Sequence, residues 1–131
     1  MSLSNAAVRA TIAVTDIARA GEFYEGRLGL RPVAGGPEFV RIYACGEGTW
    51  LQVYESPEHA GKGTATTASW TVEDFDPTID ALVDAGVKFS VSSDLAADDR
   101  GVHAFGDHRV AWCADPDGNV LAIDNGQTGG M

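Results

Sequence analysis

Positive charge is scarce in this chain. There are 9 Lys and Arg against 19 Asp and Glu, a formal net charge of −10 over 131 residues. Such a surface repels the nucleic-acid backbone and anionic membranes over a Debye length, so neither is expected as a partner, and cationic or neutral small molecules suit it better. Cysteine is nearly absent: Cys45 and Cys113 are too few for a disulfide scaffold and form no Cys-x-x-Cys spacing, so both are expected to be reduced and structural. No window approaches the roughly 18 consecutive apolar residues of a membrane span. Residues 1–10 have neither a basic start nor an apolar run, so no signal peptide is expected and the default location is cytoplasmic. Disorder is excluded as the main state, because 44% hydrophobic residues in a chain this long suffice for a packed core. The expectation is one domain over residues 1–131.

Residues 8–15 alternate, with Val8, Ala10, Ile12 and Val14 on one face and Arg9, Thr11, Ala13 and Thr15 on the other, the period of a half-buried strand. Asp16 follows as an N-cap. Ile17, Ala20, Phe23, Tyr24 and Leu28 then recur at helical spacing up to Gly29, which predicts one amphipathic helix. Three short strands are predicted at residues 30–34, 39–44 and 49–55, separated by a Gly35-Gly36-Pro37 break and a turn between Gly46 and Gly48. Residues 56–63 are polar and contain glycine, as a linker would.

The order then repeats. Residues 67–72 alternate Thr67, Ser69 and Thr71 with Ala68, Trp70 and Val72. Asp74 and Asp76-Pro77 open a helix through Ile79, Leu82 and Val83 that stops at Gly86. Strands are predicted at 87–91, 109–114 and 119–124, with Asp115-Pro116-Asp117-Gly118 as the turn between the last two. The offset between halves is 58 residues, carrying Val14 to Val72 and Asp16 to Asp74. A duplicated unit of strand, helix and three strands is the most informative feature of the chain.

Two segments carry a family resemblance: AVTDIARAGEFYEGRLGLRPV near the start and RVAWCADPDGNVLAID near the end. Together they resemble the glyoxalase, bleomycin resistance and extradiol dioxygenase superfamily, also called the vicinal oxygen chelate superfamily, over about residues 8–125. The resemblance implies an α+β fold of two tandem βαβββ modules, about 8–55 and 66–125, forming a curved mixed sheet around a central cavity. It also implies a homodimer that completes or shares this cavity.

In metal-dependent members, the resemblance implies one His, Gln or Glu ligand on the first and last strand of each module. The matching positions here are Arg9, Gln52, Thr67 and Ala122. Arginine is always charged and offers no lone pair, threonine and alanine replace the imidazole and carboxylate such ions need, and Gln52 alone would bind a divalent ion weakly. No metal site and no cofactor are therefore expected.

Strand parity, read without the family, puts Arg9, Thr11 and Ala13, then Trp50, Gln52 and Tyr54, then Thr67, Ser69 and Thr71, and finally Val120, Ala122 and Asp124 on the face away from the helices. Arg9, Thr11, Trp50, Gln52, Tyr54, Thr67, Ser69 and Asp124 are the candidate ligand-binding residues, with Trp50 the stacking group and Asp124 a candidate partner for a buried Arg9. Trp70 and Trp112 are expected in the core, and Cys113, alternating with Trp112, toward the cavity as a small hydrophobe. Glu55, His59, His103, Asp107, His108 and Cys113 include zinc-ligand types without a chelating spacing, and the histidines are expected on solvated loops. Residues 95–101 are read as a mobile loop beside the cavity mouth.

The function these residues favour is metal-independent binding of a small molecule, such as sequestering an antibiotic or another aromatic or cationic compound. The alternative is a lyase, isomerase or dioxygenase of the same superfamily with an atypical metal site. No catalytic residue is identifiable, because no two titratable groups of pocket parity are placed as an acid and base pair.

Overall fold

The computed structural model describes residues 3–33, 37–90 and 96–126. Strand β1 (Ala10–Val14) leads into helix α1 (Ile17–Gly21), where the Asp16 carboxylate accepts from the backbone N–H groups of Ala18 and Arg19 at 2.9 and 3.2 Å. The helix then widens into a π-helical stretch at Glu22–Arg27, with Leu28 N–H donating five residues back to the Phe23 carbonyl. That widening differs from the single regular helix expected. It lets the adjacent Phe23 and Tyr24 both reach the core, where both are buried, and Gly21 just before the stretch and Gly26 within it weaken regular helix.

Strands β2 (Arg31–Pro32), β3 (Val40–Ala44) and β4 (Trp50–Glu55) complete a sheet ordered β1-β4-β3-β2, with β1 parallel to β4 and the other pairs antiparallel. The second module repeats the plan. Strands β5 (Thr66–Thr71), β6 (His103–Phe105), β7 (His108–Ala114) and β8 (Val120–Asp124) form a sheet ordered β5-β8-β7-β6, with α2 (Phe75–Asp84) after β5. The strand predicted at 87–91 shrinks to one bridge, Ser90 to Trp112, and Val91 lies outside the described residues. Its place at the sheet edge is taken by β6.

The segment read as a loop beside the cavity mouth has defined contacts. Leu95 lies outside the described residues, but Ala97 bridges to His103 and Asp98 closes a turn through the backbone N–H groups of Arg100 and Val102. Arg100 pins this turn to α2 through Asp76 and Asp80, at 2.8 and 3.1 Å. Arg109 also reaches Asp76, and the hydrogen bonds from Arg109 and Arg100 hold the Asp76 carboxyl below the usual carboxylate range.

The core lies on the helix side of both sheets. Ile12, Val14, Tyr43, Leu51 and Val53 pack with Phe23 and Tyr24, and the same cluster takes in Cys113 and Leu121 from the second module. A second cluster joins Phe75 and Ile79 of α2 to Val102, Ala111 and Ile123. The modules are also joined by hydrogen bonds. Tyr24 Oη donates to Asp115 Oδ2 at 2.7 Å, Asn119 Nδ2 donates to the Ala13 carbonyl at 2.9 Å, and Asp117 accepts from Thr15 and forms a 2.9 Å ion pair with Arg19. The Asp115–Gly118 turn, expected only to close a hairpin, is therefore also the clasp that holds the second module to the first.

Candidate ligand-binding site

Residues opposite each other across a ladder share a face. On the first sheet the register places Thr11, Gln52 and Ile42 in one row and Ala13, Tyr54 and Val40 in the next, on the face away from α1. Trp50 lies opposite Ala44, and the guanidinium carbon of Arg9, just before β1, lies over the Trp50 ring, 4.5 Å from its centroid. Gln52 and Tyr54 are half-buried, whereas Thr11, Arg9 and Trp50 are exposed, Trp50 at 36%. Burial alternates as predicted along β1 and β4, with Ile12, Val14, Leu51 and Val53 inside.

On the second sheet one row runs Thr71, Asp124, Val110, His103 and the next Ser69, Ala122, Trp112. Thr67 sits at a bulge and donates to the Val120 carbonyl at 3.0 Å. Several expectations change here. Trp112, placed in the core by sequence parity, lies opposite Ala122 on the helix-free face, while Cys113 lies opposite Leu121 inside the core. Burial and, behind it, the Asp115 carboxylate push the Cys113 thiol up to about 12, so it is protonated and inert at neutral pH. His103 and His108 are strand residues and buried; His103 packs edge-on against Trp112 at 5.2 Å and His108 lies 6.2 Å from Phe105. Only His59 is exposed on a loop. Glu55 caps α1 by accepting from the Ile17 N–H at 3.0 Å.

Arg9 is neither buried nor paired with Asp124. Asp124 accepts from the Thr71 hydroxyl and the Gly126 N–H, both at 2.9 Å. The two sheets meet where β1 lies beside β5, and near this seam is a cavity of about 220 Å³ lined by Val8, Cys45, Thr49, Trp50, Ser69 and Trp70. It brings together two of the predicted residues, Trp50 and Ser69. Arg9, Thr11, Gln52, Tyr54, Thr67 and Asp124 lie outside its lining, Arg9 standing over the ring of Trp50 that is part of it.

The four positions that match metal ligands do not fit a metal. Arg9 is a cation with no lone pair, Ala122 has no donor atom, and Thr67, whose hydroxyl donates to a backbone carbonyl, and Gln52 offer only neutral oxygens. Among the described residues no group of three or more His, Cys, Asp or Glu could hold an ion.

Paired βαβββ modules joined edge to edge, with a ligand-sized cavity near the seam, define a known class of small α+β protein. The chain belongs to the Glyoxalase/Bleomycin resistance protein/Dioxygenase superfamily, whose pattern matches residues 6–123. A glyoxalase/bleomycin resistance protein from Catenulispora acidiphila is 26% identical, with a TM-score of 0.68 over 92% of this chain and 98% of the other. TnmS3, an antibiotic-binding protein from Streptomyces sp. CB03234, is 22% identical with a TM-score of 0.70, over 91% and 93% of the two chains. The fosfomycin resistance protein FosX from Mesorhizobium loti shares the fold at 17% identity and a TM-score of 0.63, over 95% and 94%. No curated protein matches the chain. Among the described residues no helix is long and apolar enough to cross a membrane.

Proposed function

We propose that this protein binds a small aromatic molecule without a metal, at the cavity beside Trp50, and holds it without transforming it. The observation that carries this reading is the cavity itself. It sets a partly exposed indole beside Ser69 and Thr49, a flat apolar surface with polar residues at its edge, the Thr49 hydroxyl itself donating to the Gly46 carbonyl at 2.6 Å. The absence of a fitting ligand set at Arg9, Gln52, Thr67 and Ala122 favours binding over the lyase, isomerase or dioxygenase chemistry of metal-dependent relatives. Sequestration of an antibiotic is one use of such a site, in keeping with TnmS3.

The protein acts as a homodimer in this reading. Trp50, Thr49 and Ser69 of the cavity lining are exposed, so a single chain leaves a bound ring open to water on one side. A second copy supplies the missing wall.

The test is a thermal-shift screen of flat aromatic compounds, run with and without EDTA. A bound ligand stabilises by RT ln(1 + [L]/Kd), about 2.7 kcal/mol at a hundredfold excess over Kd. Hits whose shift survives EDTA support the proposal. Shifts that vanish with EDTA and return with nickel, zinc, manganese or ferrous iron would restore the enzyme reading.

A further inference from the structure

We propose that the cavity selects aromatic carboxylates, with Arg9 as the anchor for the acid group; the proposal rests on the cavity reading above and supplies the ligand's charge. The net charge of −10 points toward cations, but the local geometry points the other way. Among the described residues Arg9 has one partner, the face of Trp50, and no ion pair or side-chain hydrogen bond involves its guanidinium. The carboxylate of matching parity, Asp124, is engaged by Thr71 and Gly126.

A guanidinium is planar, and its five N–H donors all lie in that plane. A guanidinium held over an indole ring is attracted to the ring's π-face and gives no N–H to an acceptor oxygen there, so the contact with Trp50 positions Arg9 without pairing its donors with an oxygen. The acceptor matching a free guanidinium edge is a carboxylate, which takes two parallel N–H bonds at once. A cationic ligand would instead meet an uncompensated positive charge beside the ring it must stack on.

Arg9 is not part of the cavity lining but stands over the Trp50 ring that is, so the volume beside Trp50 sets the rest of the ligand. At about 220 Å³ the cavity exceeds the roughly 150 Å³ that admits benzene and falls short of the roughly 300 Å³ at which drug-sized pockets begin. One ring or two fused rings fit, beside Trp50 and Trp70, with Ser69 and Thr49 at the wall. The overall negative field does not defeat this, because at physiological salt charges beyond about 8 Å are largely screened while a direct contact is not.

The experiment compares 2-naphthoate with 2-naphthamide, which has nearly the same shape without the charge, by isothermal titration against the wild-type chain and the Arg9→Met and Arg9→Lys variants. Arg9 is exposed and precedes β1, so the variants are expected to melt with the wild type. The expected result is at least about tenfold tighter binding of the acid by the wild type, the range of a charge-assisted hydrogen bond. That preference should vanish in Arg9→Met, which is expected to bind acid and amide equally, and fall partway in Arg9→Lys, which keeps the charge but loses the fork. Equal binding of acid and amide by the wild type would overturn the charge selection and leave the aromatic cavity standing. A preference for the acid that survives Arg9→Met would overturn Arg9 as its source. Failure of both compounds to bind would overturn the proposal together with the cavity reading.

Discussion

The phenol of Tyr24 donates a 2.7 Å hydrogen bond to the carboxylate of Asp115, 91 residues further along the chain, and both groups are buried. Asp115 also accepts from Asn119 Nδ2 and from the backbone N–H groups of Asp117 and Asn119, at 2.8 to 2.9 Å. A carboxylate can live inside the protein only because all four donors are in place.

Tyr24→Phe removes one of them and is expected to cost about 1–3 kcal/mol, since a buried acceptor loses a partner without regaining water. Urea unfolding at pH 7 measures it. A change below a few tenths of a kcal/mol would show that the Tyr24 bond contributes nothing net to the clasp.

The same residue sets the alkaline limit of the fold. Burial, then the nearby Asp115 charge and its hydrogen bond, push the Tyr24 hydroxyl above the ordinary tyrosine range, and burial followed by Glu25 does the same to Tyr43. Above the unfolded value of 10.0 the native state therefore holds more protons than the unfolded one. The stability these groups give is complete below about pH 10 and falls as pH rises beyond it, by about 1.4 kcal/mol per pH unit for each tyrosine. Urea midpoints from pH 9 to 11 should fall less steeply in Tyr24→Phe than in the wild type; parallel slopes would contradict the assignment.

Gly61 lies against the same clasp with φ +63°, and a Cβ there would sit 2.0 Å from the Asp117 carbonyl oxygen. Gly61→Ala combines left-handed strain with a backbone clash and is expected to destabilise by about 2 kcal/mol or more. Gly63→Ala, where a Cβ meets nothing within 4 Å, is the control and is expected to stay within about 0.5 kcal/mol of the wild type. Similar melting of the two variants would mean the loop at 61 moves aside freely.

Arg9→His places an imidazole where metal-dependent relatives are expected to have a ligand. It should raise affinity for nickel or zinc only slightly, because Thr67 is bonded to the Val120 carbonyl and Ala122 has no donor. Thermal shifts with each ion would decide it, and a strong gain would mean that donors come from elsewhere on the helix-free face.

Much of this architecture was legible because a half-buried strand repeats every two residues and Asp16 caps in the expected way. What escaped was register. Trp112 was misplaced because Val110 and Ala111 are both buried, which hides the period, yet counting outward from the Asp115–Asn119 turn pairs Cys113 with Leu121 and Trp112 with Ala122. Strand β6 was missed because it has only three residues, although Gly106-Asp107 between Phe105 and His108 is a two-residue hairpin turn. The Arg9 stack and the Asp115 clasp join residues far apart in sequence or on separate strands, and no local spacing announces them.

Trp50 tests the site most directly. Its ring is 36% exposed, it stacks with Arg9, and it lines the cavity near the seam while staying out of both buried clusters. Trp50→Ala is therefore expected to abolish binding of any aromatic ligand found in the screen while lowering the melting temperature little, since a partly exposed side chain returns only part of its burial energy. Titration and melting curves on one preparation separate the two effects. If the variant unfolds instead, Trp50 is part of the packing and the assignment of that face of β4 to a ligand fails. If it stays folded and binds as tightly as the wild type, the aromatic surface lies elsewhere, with Trp112 on the second sheet the next candidate because it shares the helix-free face with Ser69 and Ala122.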